Sequence, residues 1–281
     1  MLAIALPLMF LQVGPNPSPD AIANTVPTLP GVDKKAAVRR TVAAAIGPQC
    51  PLDTGADAAR IAEDAQLRTT VTTGTDRTAA IHCLAMAQAE LGLWQQAAES
   101  FARARALVGG NQREQARIGG QRGIALAAAG DTQAAMLAFR QASDDAMAAG
   151  EPLLAAAFIT EHASLLVNAG EQTQAAQLLA DARRDVSAQP QIWLLSATLA
   201  RRQGDLAQAE TFIGQALTLA DDAETLLEAG IIAALDGRDE MARERFDDAV
   251  MRARTGPVAN QARAYLDQLQ APDKTVSGRP D

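Results

Sequence analysis

The side chains that could do chemistry are few: two histidines, two cysteines, one glycine-rich stretch and three aspartate pairs in 281 residues. His82 and Cys83 are adjacent, the base and thiol types that a nucleophilic mechanism pairs. Adjacency argues against that use, because neighbouring helical residues point about 100° apart and do not face each other. Gly119-Gly120-Gln121-Arg122-Gly123 has the glycine density of a phosphate loop. It follows no strand and lacks the Lys-Ser/Thr that closes a P-loop. Asp144-Asp145, Asp221-Asp222 and Asp247-Asp248 fall near helix ends or on outer faces, where solvated carboxylates are ordinary. With two His, two Cys and no metal-ligand spacing, the chain offers no zinc site. No acid, base and nucleophile converge, so no catalytic residue, cofactor or metal ligand is assigned and the chain reads as a non-enzyme.

Cys50 and Cys83 are 33 residues apart in sequence. In an oxidising compartment an even pair favours a disulfide that staples the N-terminal helices to the body of the chain. The other reading is one buried thiol and one loop thiol that never meet.

The elements that must position these residues repeat. Gly204-Asp205-Leu206 is followed by Ala209, Ile213 and Ala216. The same register recurs at Gly92 with Ala97, Phe101 and Ala104; at Gly130 with Ala135, Phe139 and Ala142; at Gly170 with Ala175, Leu179 and Ala182; and at Gly237 with Ala242, Phe246 and Ala249. Glycine ends one helix by taking the left-handed cap conformation. Positions i, i+4 and i+7 then share one face of the next helix. Small residues at the first and last let a neighbouring helix approach, and the large residue between them fills the space.

This pattern resembles the tetratricopeptide repeat (TPR) family, whose A-x-x-x-F element with a second Ala is met in three copies, with Leu179 and Ile213 replacing Phe in the other two. The resemblance spans residues 78 to 254. It implies an all-α fold, a right-handed α-solenoid of about five TPR-like helix hairpins with N-terminal helices and a C-terminal capping helix. The first-helix half of the pattern is weaker: Ile81, Leu84 and Ala85 stand at the family's Trp, Leu and Gly positions in the first copy, and Trp193, Ser196 and Ala197 in the fourth. Gly170 to Gly204 matches the family's 34, whereas Gly92 to Gly130 and Gly130 to Gly170 are longer and Gly204 to Gly237 is one residue shorter. The extra residues of the first two intervals fall at Gly109-Gly110-Asn111 and Gly150-Glu151-Pro152, both turn-like. Gly123 occupies the family's small packing position, and His162 a position the family fills with core residues.

The resemblance also implies a groove lined by the first helices of the hairpins. Its positions map onto His82 and Met86, Arg117 and Ile124, Asn168, Leu194 with Arg201 and Arg202, and Leu227 with Ile231. The lining is mixed apolar with a small basic cluster at Arg201-Arg202, for which a solvated helix end is the other reading. It lacks the Lys and Asn set that related chaperone adaptors use on a terminal carboxylate. An extended or helical peptide is the natural occupant.

Outside the repeats, residues 1–13 are apolar and too short for a membrane span, which needs about 20 residues. They fit the h-region of a secretory signal, with Ala21-Ile22-Ala23 as a small-x-small cleavage site, although no basic residue precedes Lys34. Residues 24–32 read as a flexible linker and 33–77 as an N-terminal helical cap or degenerate repeat, with helices from Asp33 to Ile46 and from Ala56 to about Leu67. Residues 255–270 read as a capping helix burying Ala262, Tyr265, Leu266 and Leu269, and 271–281 as a disordered tail.

Composition supports closely packed helices, at 48% hydrophobic but only 3% aromatic. A net charge of −8 argues against a nucleic-acid partner, since phosphate contacts need a basic surface. The expectation is a protein-interaction scaffold with a protein or peptide partner on the concave face of the solenoid, no small-molecule cofactor, and membrane contact only through the N-terminal segment if retained. It is periplasmic or secreted, in a bacterial cell envelope, with a cytoplasmic protein as the alternative. A structural subunit docked permanently in a membrane-associated assembly is the second expectation, and the two differ in whether the N-terminal segment is kept.

Overall fold

Five turns of one geometry organise the computed structural model, which describes Cys50, Leu52 and residues 57–270. The segments expected to be a signal, a linker, a helix over residues 33–46 and a C-terminal tail lie outside the described residues. At each turn the residue after glycine donates its N–H five residues back. Leu93 reaches Gln88, Asp131 reaches Leu126, Glu171 reaches Leu166, Asp205 reaches Ala200 and Arg238 reaches Ala233, at 2.8 to 3.0 Å. Gly130 illustrates the requirement: at φ +86° it holds a conformation that a residue with a Cβ resists.

Every regular element among the described residues is a helix. They are α1 (Ala58–Val71), α2 (Gly74–Glu90), α3 (Trp94–Leu107), α4 (Gln112–Ala129), α5 (Thr132–Ala148), α6 (Pro152–Asn168), α7 (Gln172–Asp185), α8 (Pro190–Arg202), α9 (Leu206–Leu219), α10 (Ala223–Leu235), α11 (Asp239–Ala253) and α12 (Pro257–Gln270). Short acidic or amide side chains start several of them by accepting a backbone N–H. Asp57 caps Ala59, Asn111 caps Glu114, Asp131 caps Ala134, Asp205 caps Gln208 and Asp222 caps Thr225.

Two boundaries differ from the sequence reading. The helix expected to end at about Leu67 runs to Val71 as α1, and α2 begins at Gly74, ahead of the expected repeat start at residue 78. The Thr69 and Thr70 hydroxyls turn back onto the carbonyls of Gln66 and Leu67, which lets β-branched polar residues remain in the last turn.

The described residues divide into two compact units, one ending at residue 199 and the other beginning at residue 200. In the first, α2/α3, α4/α5 and α6/α7 form successive hairpins, each packed on the next, with α1 against α2. In the second, α9 packs on α10, α10 and α11 form a hairpin, and α12 lies on both.

The repeated small-large-small triplets are the interior. All fifteen residues, from Ala97/Phe101/Ala104 to Ala242/Phe246/Ala249, are at most 3% exposed. Burial of each large member contributes on the order of 1.5–3 kcal/mol. The facing helix must be bare where the ring arrives. A Cβ on Gly123 would lie 2.7 Å from the Phe139 ring, and one on Gly230 would lie 2.5 Å from Phe246. Gly120 is closer still, 2.1 Å from Phe158. The glycine-rich stretch is therefore a mid-helix landing strip for two phenylalanines.

α12 closes the second unit. Ala262, Tyr265 and Leu269 are buried, Leu266 is half-buried, and the Tyr265 ring centroid lies 5.2 Å from that of Phe246. At the other end, Cys50 and Cys83 are joined by a disulfide with a Cα–Cα distance of 5.4 Å. Cys83 is buried among Ile61, Ala65 and Leu84, so the bond ties the residues before α1 into the α1/α2 contact.

Candidate interaction site

The site is best followed outward from the middle of α2, where residues 80–87 are all buried. His82 presents Nε2 2.6 Å from Gln121 Oε1 on α4, and its ring centroid lies 5.7 Å from that of Phe101. Gln121 Nε2 in turn lies 3.8 Å from Met86 Sδ. One amide thus bridges two side chains of the neighbouring first helix. Burial pushes the His82 imidazole below its ordinary value, and Arg117 acts in the same direction. The Gln121 bond and Glu114 pull the other way.

These contacts change the meaning of the mapped groove. His82, Met86, Leu194, Arg201, Leu227 and Ile231 are all 7% exposed or less. Positions assigned to an open lining are interior because their helices are packed on every side, as the unbroken burial of Thr225 to Ala234 on α10 shows. Arg117 and Ile124 are half-buried, Arg117 donating to Glu114 at 3.4 Å, while Asn168 is exposed at the end of α6.

The basic cluster is corrected most sharply. Arg201 Nε lies 2.6 Å from Glu228 Oε1 and Nη2 lies 3.3 Å from Oε2, with both side chains 2% exposed. A buried, bidentate ion pair between α8 and α10 holds Arg201, and only the half-buried Arg202 remains near solvent. Glu228 and Gln121 escape sequence reasoning. Their signal is a polar residue inside an otherwise apolar or glycine-rich helical run, facing a polar partner one repeat away.

His82 does reach open space. A cleft of about 770 Å³ opens between the start of α2 and the start of α4, bordered by the end of α3. Thr73 to Ala79 form one side, Leu107, Val108 and Asn111 the end, and Glu114 with Ile118 the other side. His82 is among its lining residues, as is Ala79, which the family register also places in the groove. In the second unit a cleft of about 630 Å³ occupies the comparable place at the start of α10, beside the Arg252–Asp221 ion pair.

Other candidates for chemistry stay apart. His162 is half-buried, and burial first and then Arg140 hold it below its ordinary value. Burial raises Glu161 above the usual carboxylate range. No three His, Cys, Asp or Glu residues cluster as metal ligands among the described residues. No helix among them is long and apolar enough to cross a membrane.

No protein-family model and no curated protein matches the chain. Among solved structures it is similar to one reported in a functional characterisation of Pseudomonas aeruginosa PilF, at 14% identity and a TM-score of 0.55 over 84% of this chain and 97% of that one. It is also similar to BtubC from P. vanneervenii, at 15% identity and a TM-score of 0.53 over 87% and 98%. A thermophilic TPR protein of Thermus thermophilus, TTC0263, aligns over 69% of this chain and 100% of its own at 18% identity, with a TM-score of 0.49. At these identities the likeness is one of fold. With five glycine turns of one geometry, each opening a helix with a buried small-large-small triplet, the chain is an all-α, TPR-like protein built from helical hairpins.

Proposed function

We propose that the chain is a non-enzymatic scaffold that binds a protein or peptide on the face presented by the first helices of its hairpins. One observation carries this reading: a repeat fold with a tightly packed interior nevertheless leaves a roomy cleft between α2 and α4, lined by polar, charged and apolar groups together. Sites of that mixed character, concave and partly apolar with a few placed polar groups, suit recognition. The cell envelope is the proposed location, supported by the apolar residues 1–13 and by the Cys50–Cys83 bond, since disulfides persist in oxidising compartments.

The test is site-specific photo-cross-linking in native cells. Benzoylphenylalanine is placed in turn at Thr75 in the cleft, at Asn168 on α6 and at the exposed Gln96 on α3. The scaffold reading expects one protein linked from Thr75 or Asn168 and not from Gln96. Products from Gln96 alone, or none from any position, would overturn it.

A further inference from the structure

The cleft beside α2 has an uneven supply of donors and acceptors. An amide oxygen only accepts, so the 2.6 Å contact from Gln121 Oε1 requires the hydrogen on His82 Nε2. Burial favours the neutral ring, which leaves Nδ1 as a lone-pair acceptor with no hydrogen-bond partner among the described residues. His82 is 7% exposed and lines the cleft.

Two carboxylates share that space, Asp76 from α2 and Glu114 from α4, the latter with one oxygen already accepting from Arg117. Asp76 stands in the first turn of α2, where the positive end of the helix favours a negative charge. An incoming anion would find that place taken, whereas a cation would not. Leu107 and Ile118 supply an apolar wall, and the exposed Arg77 also lines the cleft. An acceptor at depth, two carboxylates and a hydrocarbon wall match an aliphatic stem with a donor-only head. Lysine and arginine combine those two properties.

We propose that this cleft anchors a lysine or arginine side chain of a partner peptide, its stem along Leu107 and Ile118 and its head among Asp76, Glu114 and His82 Nδ1. The proposal deepens the scaffold reading and rests on it. A net charge of −8 favours the approach of a basic segment, and a cleft of about 770 Å³ leaves room for residues flanking the anchor.

The experiment measures fluorescence anisotropy on the full chain with a fluorescein-labelled peptide alternating leucine and arginine. A matched peptide carries citrulline for arginine, which keeps the shape and removes the charge. The arginine probe is expected to bind at least about tenfold more tightly, and an Asp76→Asn/Glu114→Gln chain is expected to lose that preference. Asp76 is exposed and Glu114 only half-buried, so the fold should survive, as circular dichroism would verify. Equal binding of the two probes, or a preference that survives the double substitution, overturns the proposal. The chain's own Lys34, Lys35, Arg39 and Arg40 offer the same chemistry. If changing those four to glutamine tightens probe binding about tenfold, they are the occupant and the partner assignment is overturned. A protein cross-linked from Asn168 in a chain with no arginine preference would sink the cleft proposal and leave the scaffold reading standing.

Discussion

Replacing Arg201 with methionine would leave the Glu228 carboxylate buried, 2% exposed, and stripped of a partner at 2.6 Å. Breaking a buried pair from one side costs about 3–5 kcal/mol, against about 5–15 kcal/mol for a whole domain. For a chain of this size that is a fall of about 6–20 °C in Tm. Removing both charges is a different perturbation, because well-packed apolar groups of similar volume are often neutral or stabilising. The Arg201→Met/Glu228→Met chain should therefore melt close to the parent, within about 1 kcal/mol, or above it. Urea and thermal unfolding followed by circular dichroism on the parent, both single variants and the double variant would complete the cycle. Two results would refute the reasoning: a single substitution that costs less than about 0.5 kcal/mol, or a double variant no more stable than the singles. The same cycle guards any binding experiment, since an Arg201→Glu chain that fails to bind would be reporting a damaged interior.

Gly214 and Gly230 both lie inside helices but should respond oppositely to alanine. Gly214 is exposed with nothing near its missing Cβ, so Gly214→Ala should stabilise by about 0.5–1 kcal/mol. Gly230→Ala drives a Cβ into Phe246 and should cost about 1–3 kcal/mol; equal urea midpoints for the two chains would count against the packing account. Reducing the Cys50–Cys83 bond releases a loop of 33 residues and should cost about 3–4 kcal/mol in the chain-entropy model, read as a lower melting temperature with dithiothreitol than without. His82 and His162 are both held below the ordinary value of 6.5 in the folded chain, mainly by burial, so the unfolded chain takes up protons there first. Their contribution is complete above about pH 6.5 and is lost as pH falls through the lower folded values. A His82→Gln/His162→Gln chain should accordingly lose less stability than the parent on acidification, and an identical loss would contradict this.

The repeat is legible because it is a local property. A glycine that must adopt positive φ, followed at fixed distances by Ala, a large residue and Ala, writes both the turn and the face of the next helix into consecutive residues. Consecutive residues do not disclose which polar groups look at each other across repeats. Arg201 and Glu228 are 27 positions apart, and His82 and Gln121 are 39 apart. In a one-dimensional reading, each looks like an isolated polar group on a helix. Family registers put Arg201 on a surface because they specify the direction a position faces, but not whether a neighbouring helix supplies a countercharge there. The cleft is equally hidden, since its edges come from Thr73–Ala79, Leu107–Asn111 and Glu114–Ile118, three segments brought together only by packing. His82, placed in the groove from its register, is a buried residue that also lines that cleft.

The sulfur bridge also decides how the molecule would carry load. Tension applied to the chain ahead of Cys50 need not travel through α1, because a covalent shortcut delivers it to Cys83 in the middle of α2. The segment between the two cysteines is a slack loop in mechanical terms, and α1 is shielded from any pull. The first hairpin would bear the strain directly, at a point where its helix is buried on every side. A tether ending at residue 50 is thus fastened to the repeat array itself, and α1 is spared the role of hinge.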